Sequence, residues 1–404
     1  MKNEPRVSFF RPTLFFSIFY LIVIFCLFLY SFTQIDLGLT MTRASIFTQI
    51  QKSFQYIGYF NRPLSTTLVV LLLVFLFAFY IFYILSARKK LLTTKTFWIT
   101  TIILTVILTF SYTAFSYDIF NYIFDAKIFT HYHANPYLHK ALDYPGDPML
   151  SFMHWTQRAY PYGPVWLGLT IPLSYLGLNY FIPTFFIFKL ISAVSYLGCI
   201  WIIGKIMRKV QPSKEVLAMV IFAFNPLVII ESLLSGHNDI VMMFFALVSL
   251  FFLINKKYAL AFVLLFVSIG IKYATGFLLP MYIMIYFFDK KKVMIPWMTV
   301  FATMVVAMLF AVIAATLRTT LQPWYILFAL PFAALLTDSL IFLVPSIIIS
   351  LVFLCNYLPF LYMGNWDPPI PTLLLTINSV GIFLSLIFVG VYFFRRKKMI
   401  SSSK

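Results

Sequence analysis

An all-α polytopic membrane protein, a bundle of about twelve transmembrane helices, is the fold class this sequence predicts, and three observations carry it. Hydrophobic residues make up 62% of the 404-residue chain and charged residues only 10%, with a mean hydropathy of +0.94. A water-soluble globule cannot cover itself with so little polar surface. Apolar stretches of roughly 20 residues recur, long enough for a helix to cross hydrocarbon with its backbone hydrogen bonds made internally. Lysines and arginines stand in short clusters between those stretches rather than on one basic face. The formal charge of +18 therefore reads as positive-inside topology, with the lipid bilayer as partner and no nucleic acid.

The first stretch, 13–32, is longer than the apolar core of a secretory signal and lacks a small-residue cleavage site, so it reads as a retained span. Keeping Lys2/Arg6/Arg11, Arg88/Lys89/Lys90/Lys95, Lys205/Arg208/Lys209/Lys214, Lys256/Lys257, Lys290/Lys291/Lys292 and Arg395/Arg396/Lys397/Lys398 in the cytoplasm orders the rest. Spans 13–32 and 64–87 form a hairpin, and a third, 96–115, delivers residues 116–163 to the outside. Residues 164–178 are apolar but short, and read as a re-entrant or interfacial helix. Spans 182–204, 215–234 and 239–254 place Ser235-Gly236-His237-Asn238-Asp239 outside. The run 258–288 is interrupted at Gly270-Ile271-Lys272-Tyr273, as two short helices meeting at an outer apex would be. Spans 293–315, 322–337, 340–362 and 371–394 then place Arg318 outside and leave 395–404 as a cytoplasmic basic tail. Both termini are cytoplasmic, and 1–404 forms a single integral domain of a multi-pass plasma-membrane protein. Cys26, Cys199 and Cys355 lie in apolar segments without metal spacing and are assigned no chemistry.

Chemistry collects in one loop. Four of the twelve acidic residues (Asp118, Asp125, Asp143, Asp147) and four of the five histidines fall in 116–163, a stretch too long for a mere connection and too aromatic for disorder. Its first half reads as an amphipathic helix with Asp118, Tyr122, Asp125 and Phe129 on one face. Asp118 sits in the first turn, where the helix dipole favours the ionised form a general base requires. Asp125, two turns on, is roughly 10 Å away by helical rise, too far to share a proton. The Pro, Gly and Tyr of Asn135-Pro136-Tyr137, Asp143-Tyr144-Pro145-Gly146-Asp147 and Tyr160-Pro161-Tyr162-Gly163-Pro164 build a rigid loop suited equally to an aromatic belt and to sugar rings. Glu231 and Asp239 flank Gly236-His237-Asn238 at the edge of apolar spans. Ionisable groups there are expensive and call for partners, of which Lys272 and Arg318 are the natural ones. A capped helical hairpin, or a snorkelling Arg318, accounts for the same residues without function.

In order along the chain, Tyr117-Asp118-Ile119-Phe120-Asn121-Tyr122, Asn135-Pro136-Tyr137, Asp147-Pro148, Tyr162-Gly163-Pro164, Glu231 through Gly236-His237-Asn238-Asp239, Lys272 and Gln322-Pro323-Trp324-Tyr325 make the sequence resemble GT-C glycosyltransferases. In particular it resembles the bacterial and archaeal polyprenyl-phosphate-mannose-dependent mannosyltransferases, over about residues 110–330. The resemblance implies a GT-C-like bundle with interfacial helices in a large exoplasmic catalytic loop, an aspartate base matched by Asp118, and a polyprenyl-phosphate sugar as co-substrate. It also implies an extra N-terminal hairpin, because the loop follows the third apparent span, and it places Asn121 where relatives commonly carry Arg.

The expected reaction is inverting transfer of one sugar, expected to be mannose, to a hydroxyl of an exoplasmic glycan or glycolipid. Asp118 acts as base, and Lys272, His237 and Arg318 steady the leaving phosphate. Asp125, Tyr122, Glu231, Asn238, Asp239 and Tyr162 are expected to contact sugar or acceptor or to hold the cations. With these cations present, no metal and no cofactor is expected. A secondary transporter and a lipid-linked oligosaccharide flippase or polymerase remain the rival readings.

Overall fold

The structure, a computed structural model, describes residues 12–402 except Arg43 and Asn179, without side-chain placement for Pro12 or 396–402. The cluster Lys2/Arg6/Arg11 lies outside the described residues, as do residues 403–404 of the basic tail and the side chains of Arg396, Lys397 and Lys398.

Every regular element among the described residues is helical. Among the described residues, six helices are long and apolar enough to cross a membrane: Thr13–Gln34, Arg62–Arg88, Phe181–Val210, Trp297–Thr316, Leu340–Met363 and Ile370–Arg395. A bent pair, Pro212–Ala223 with Pro226–Leu234, makes seven if read as one span. Against the about twelve crossings expected from run length, the long helices are fewer because some apolar runs are broken and others are short. Asn225-Pro226 interrupts one run with a 59° bend; the proline has no N–H for a helical bond, and the Asn225 side chain accepts the Leu227 N–H at 2.9 Å instead. The run after Lys257 breaks at Lys272, which is extended between helix Tyr258–Ile271 and a 3₁₀ turn, Tyr273–Leu278. Thr94–Thr109, Pro164–Leu176 and Asp239–Ile254 are likewise apolar but short.

The first two long helices do form a hairpin, tied at one end by Tyr83 Oη donating to Ser17 Oγ (2.8 Å) and at the other by the Tyr30–Ser65 hydroxyl pair (2.8 Å). Tyr80 Oη donates to the Ile221 carbonyl at 2.8 Å, joining the hairpin to the bent pair. Such bonds matter between apolar helices, where burial of hydrocarbon alone gives no preference for a neighbour. At the centre, helix Phe181–Val210 and helix Tyr258–Ile271 both pack on helix Asp239–Ile254. The loop helix, Asp118–Thr130, lies on this core with ten of its residues buried, Asp118, Asn121 and Tyr122 among them. It is thus enclosed on most sides, because the later loop folds over it.

Candidate active site

Four segments meet around Asp118. The loop helix carries it in its first turn, and Ser116 Oγ accepts the Asp118 N–H at 3.3 Å. The second half of the loop returns over this helix, held by the Lys140–Ala159 bridge and by the Tyr160 N–H on the Pro136 carbonyl (3.0 Å). That return brings Arg158 Nη2 to 4.0 Å from Asp118 Oδ1, with the guanidinium 5.4 Å from the centre of the Trp155 ring. The far end of the helix is pinned by an ion pair between Lys127 and Asp147. Burial would raise the Asp147 carboxyl, but bonds from Lys127, Tyr132 and the Met149 N–H hold it below the ordinary carboxylate value.

Beneath Asp118 lies a turn whose residues 231–239 are all buried. Glu231 sits in a π-turn, Ile230–Leu234, and the chain reverses at Gly236, whose φ of +72° L side chains rarely adopt. A Cβ there would also stand 3.2 Å from Ile119 Cδ1 of the loop helix, so glycine permits the contact between turn and loop. His237 follows. Its Nε2 lies 3.0 Å from Ser116 Oγ and 3.9 Å from Asp118 Oδ2, and its Nδ1 lies 3.0 Å from Glu231 Oε2. The imidazole stacks on Trp324 with ring centres 4.2 Å apart, and Tyr357 Oη donates to Glu231 Oε1 at 2.8 Å. An unbroken path of close approaches therefore joins Tyr357, Glu231, His237 and Asp118.

Asp239 opens the next helix and pairs with Lys272, Nζ to Oδ1 2.7 Å. Lys272 also faces the rings of Tyr162, Tyr325 and Phe328, with Nζ 5.4–5.9 Å from their centres. It stands there because Gly163 and Gly270 touch: a Cβ on Gly163 would overlap the Gly270 carbonyl at 2.1 Å, and the Gly163 N–H bonds the Ile271 carbonyl at 3.1 Å. Tyr122 Oη donates to Asn238 Oδ1 at 3.3 Å and packs edge-on to Tyr162.

Exposure grades across the site. The side chains of Arg158, Lys272 and Asp118 are 37%, 21% and 9% exposed, whereas those of His237, Glu231 and Asp239 are fully buried. The mouth therefore presents two cations and one carboxylate, and the floor an imidazole between acids. Asp125, on the same helix, has its carboxyl pushed up to about 8 by burial; Arg158 opposes the rise and Asp118 adds to it. Buried polar atoms without a hydrogen-bond partner in the protein include Asn238 Nδ2 and Asp239 Oδ2 at the floor and Asn121 Oδ1 on the loop helix; such groups require water or a ligand.

Of the sequence candidates, the structure thus brings together Asp118, Tyr122, Asp125, Tyr162, Glu231, His237, Asn238, Asp239 and Lys272. Arg318 is not among them. It is exposed just beyond helix Trp297–Thr316, and among the described residues its side chain makes no ion pair or hydrogen bond. An isolated charge at a helix end has solvent as its partner, so isolation in sequence overstated it. The turn 235–239, expected to face the loop, forms the buried floor beneath it. The carboxylates there need the enclosed partners His237, Tyr357 and Lys272, and the loop roofs them over. His237 accordingly faces carboxylates and Ser116 rather than standing free for a phosphate. Arg158, Tyr357, Ser116 and Lys189 escaped notice. Only Lys189 had a clear signal, a lone charge inside an apolar run; Arg158 is disguised by its polar neighbours Thr156 and Gln157. Among the described residues, no three His, Cys, Asp or Glu side chains converge as metal ligands would.

The profile of a family described as alpha-(1->6)-mannopyranosyltransferase, N-terminal domain, matches residues 25–288, well over half of the chain. The match takes in most of the N-terminal hairpin as well as the loop, the buried turn and Lys272. No curated protein and no solved structure matches.

Proposed function

The chain belongs to this alpha-(1->6)-mannopyranosyltransferase family and is a GT-C glycosyltransferase, and from its site we propose that it moves one mannosyl residue from a polyprenyl-phosphate donor to an exoplasmic hydroxyl, with inversion. The observation that carries this reading is the setting of Asp118: a partly open carboxylate with two partly open cations at the mouth and a fully buried imidazole–carboxylate pair behind it.

The acceptor oxygen attacks the anomeric carbon while Asp118 takes its proton. The bond from that carbon to the phosphate oxygen breaks, and the lipid phosphate departs from the opposite face with the electron pair. Arg158 and Lys272 answer the charge developing on that phosphate, the role first expected of Lys272 with His237 and Arg318. Arg158 also brings to the loop helix the guanidinium that Asn121 does not provide. The proton on Asp118 faces His237, which Glu231 and Trp324 hold in place. Trp155, half exposed beside Arg158, offers a ring face to the sugars, and the buried rings of Tyr122 and Tyr162 support the site from behind. A β-linked donor would give the α product of the family name by inversion. The loop 116–163 then lies on the exoplasmic side of the plasma membrane, with the termini and the 395–404 tail in the cytoplasm.

Purified protein in lipid nanodiscs, incubated with mannosyl, glucosyl and arabinosyl polyprenyl phosphates and a mannoside acceptor, tests the reading. Release of free polyprenyl phosphate from the mannosyl donor, with an α-linked product, is expected. Movement of the donor across the bilayer without cleavage would favour the transporter or flippase reading. Transfer of whole oligosaccharide blocks would mark a polymerase.

A further inference from the structure

One buried cation lies outside the chemistry just described. Lys189 is 1% exposed, in the membrane-spanning helix Phe181–Val210. Its ammonium has three donors and three acceptors: Ser111 Oγ at 3.1 Å, the Leu234 carbonyl at 2.8 Å, and the Leu233 carbonyl. None of the ion pairs among the described residues involves it. A charge at this depth is expensive, and structure alone would be served by an apolar side chain of the same length.

The acceptors explain its presence. Leu233 and Leu234 end the π-turn that holds Glu231, where carbonyls have no next turn to bond and the helix dipole favours a cation. The chain then passes at once through Gly236 to His237. Ser111 begins the segment that leads through Thr113 and Ser116 to Asp118, and Thr113 Oγ1 lies 3.4 Å from the Ser235 carbonyl. One turn along the lysine's own helix, Ser192 Oγ lies 3.4 Å from the Gly236 carbonyl. The ammonium therefore joins the root of the Asp118 segment to the root of the His237 turn.

We propose that Lys189 is a positioning residue that sets the approach of His237 to Asp118, and so acts on glycosyl transfer without touching substrate. The inference rests on the reading that Asp118 and His237 work together. Misplacing a reacting group by about 1 Å costs on the order of 100-fold in rate, so Lys189→Met should lower kcat by about that factor while leaving the donor KM within about twofold. Ser111→Ala, which removes one of the three acceptors, should lower kcat less.

The deciding experiment is a double-mutant cycle on purified protein, measuring kcat and donor KM for Lys189→Met, His237→Ala and the pair, with Ser111→Ala and Lys189→Gln as milder replacements should Lys189→Met not fold. If Lys189 acts through His237, the pair is no slower than His237→Ala alone. Multiplying losses, or a Lys189→Met or Lys189→Gln protein with full kcat, would overturn the proposal. A proteoliposome assay of Asp118→Asn separates the two claims: if that variant transfers mannose normally the site reading has failed, whereas if it is inactive and the cycle is additive only the role of Lys189 has.

Discussion

Asp125 offers a prediction with both a sign and a size. Its carboxyl is held protonated up to about 8, against 3.8 for a free side chain, chiefly by burial. Between those values the folded protein keeps a proton that the unfolded chain has lost, so stability must fall as pH rises from about 4 and level off above about 8. Each unit is worth about 1.4 kcal/mol; over the roughly three units to pH 7 this reaches about 4 kcal/mol, and partial solvent access brings it nearer 2 kcal/mol. Asn cannot ionise in either state. The stability of Asp125→Asn relative to wild type should therefore grow by about 2–4 kcal/mol between pH 4 and 8, most of it before neutrality. Its transfer activity at pH 7 should stay within about threefold of wild type, since an amide stands in for a protonated acid. Thermal unfolding in detergent, followed by tryptophan fluorescence from pH 4 to 9, measures this. Parallel stability curves for the two proteins would refute the reasoning.

The two arginines separate loop from helix end: Arg158→Ala should raise the donor KM or lower kcat by about 10–100-fold, and Arg318→Ala should stay within about twofold, in the same release assay. Lys272→Met leaves the fully buried Asp239 carboxylate unpaired and should destabilise by about 3 kcal/mol. Lys272→Met with Asp239→Asn should recover much of that stability but not activity, as melting and turnover of the three variants will show.

Much of this site was legible because charges inside apolar sequence are conspicuous. Asp118, the Glu231 to Asp239 turn and Lys272 each interrupt a hydrophobic run, and lipid leaves such residues little choice but to find one another. The same rule applied to Lys189 would have found it too. Its failure at Arg318 is equally physical, since a charge at a helix end can reach solvent. What sequence does not display is how a loop returns on itself. The contacts that carry Arg158 over Asp118, the Lys140–Ala159 bridge and the Tyr160–Pro136 bond, are backbone contacts with no residue signature. The span count likewise depends on where Asn225-Pro226 breaks an apolar run, which summed hydropathy passes over, whereas the break at Gly270 to Lys272 was marked by its lone charge.

The central claim, that Asp118 is the base of a mannosyl transfer from a lipid phosphate, is tested most directly by Asp118→Asn in proteoliposomes loaded with mannosyl polyprenyl phosphate and acceptor. The account predicts that release of free polyprenyl phosphate falls by at least about 100-fold, the scale of general-base catalysis, while donor binding is retained. Release at the wild-type rate would contradict it.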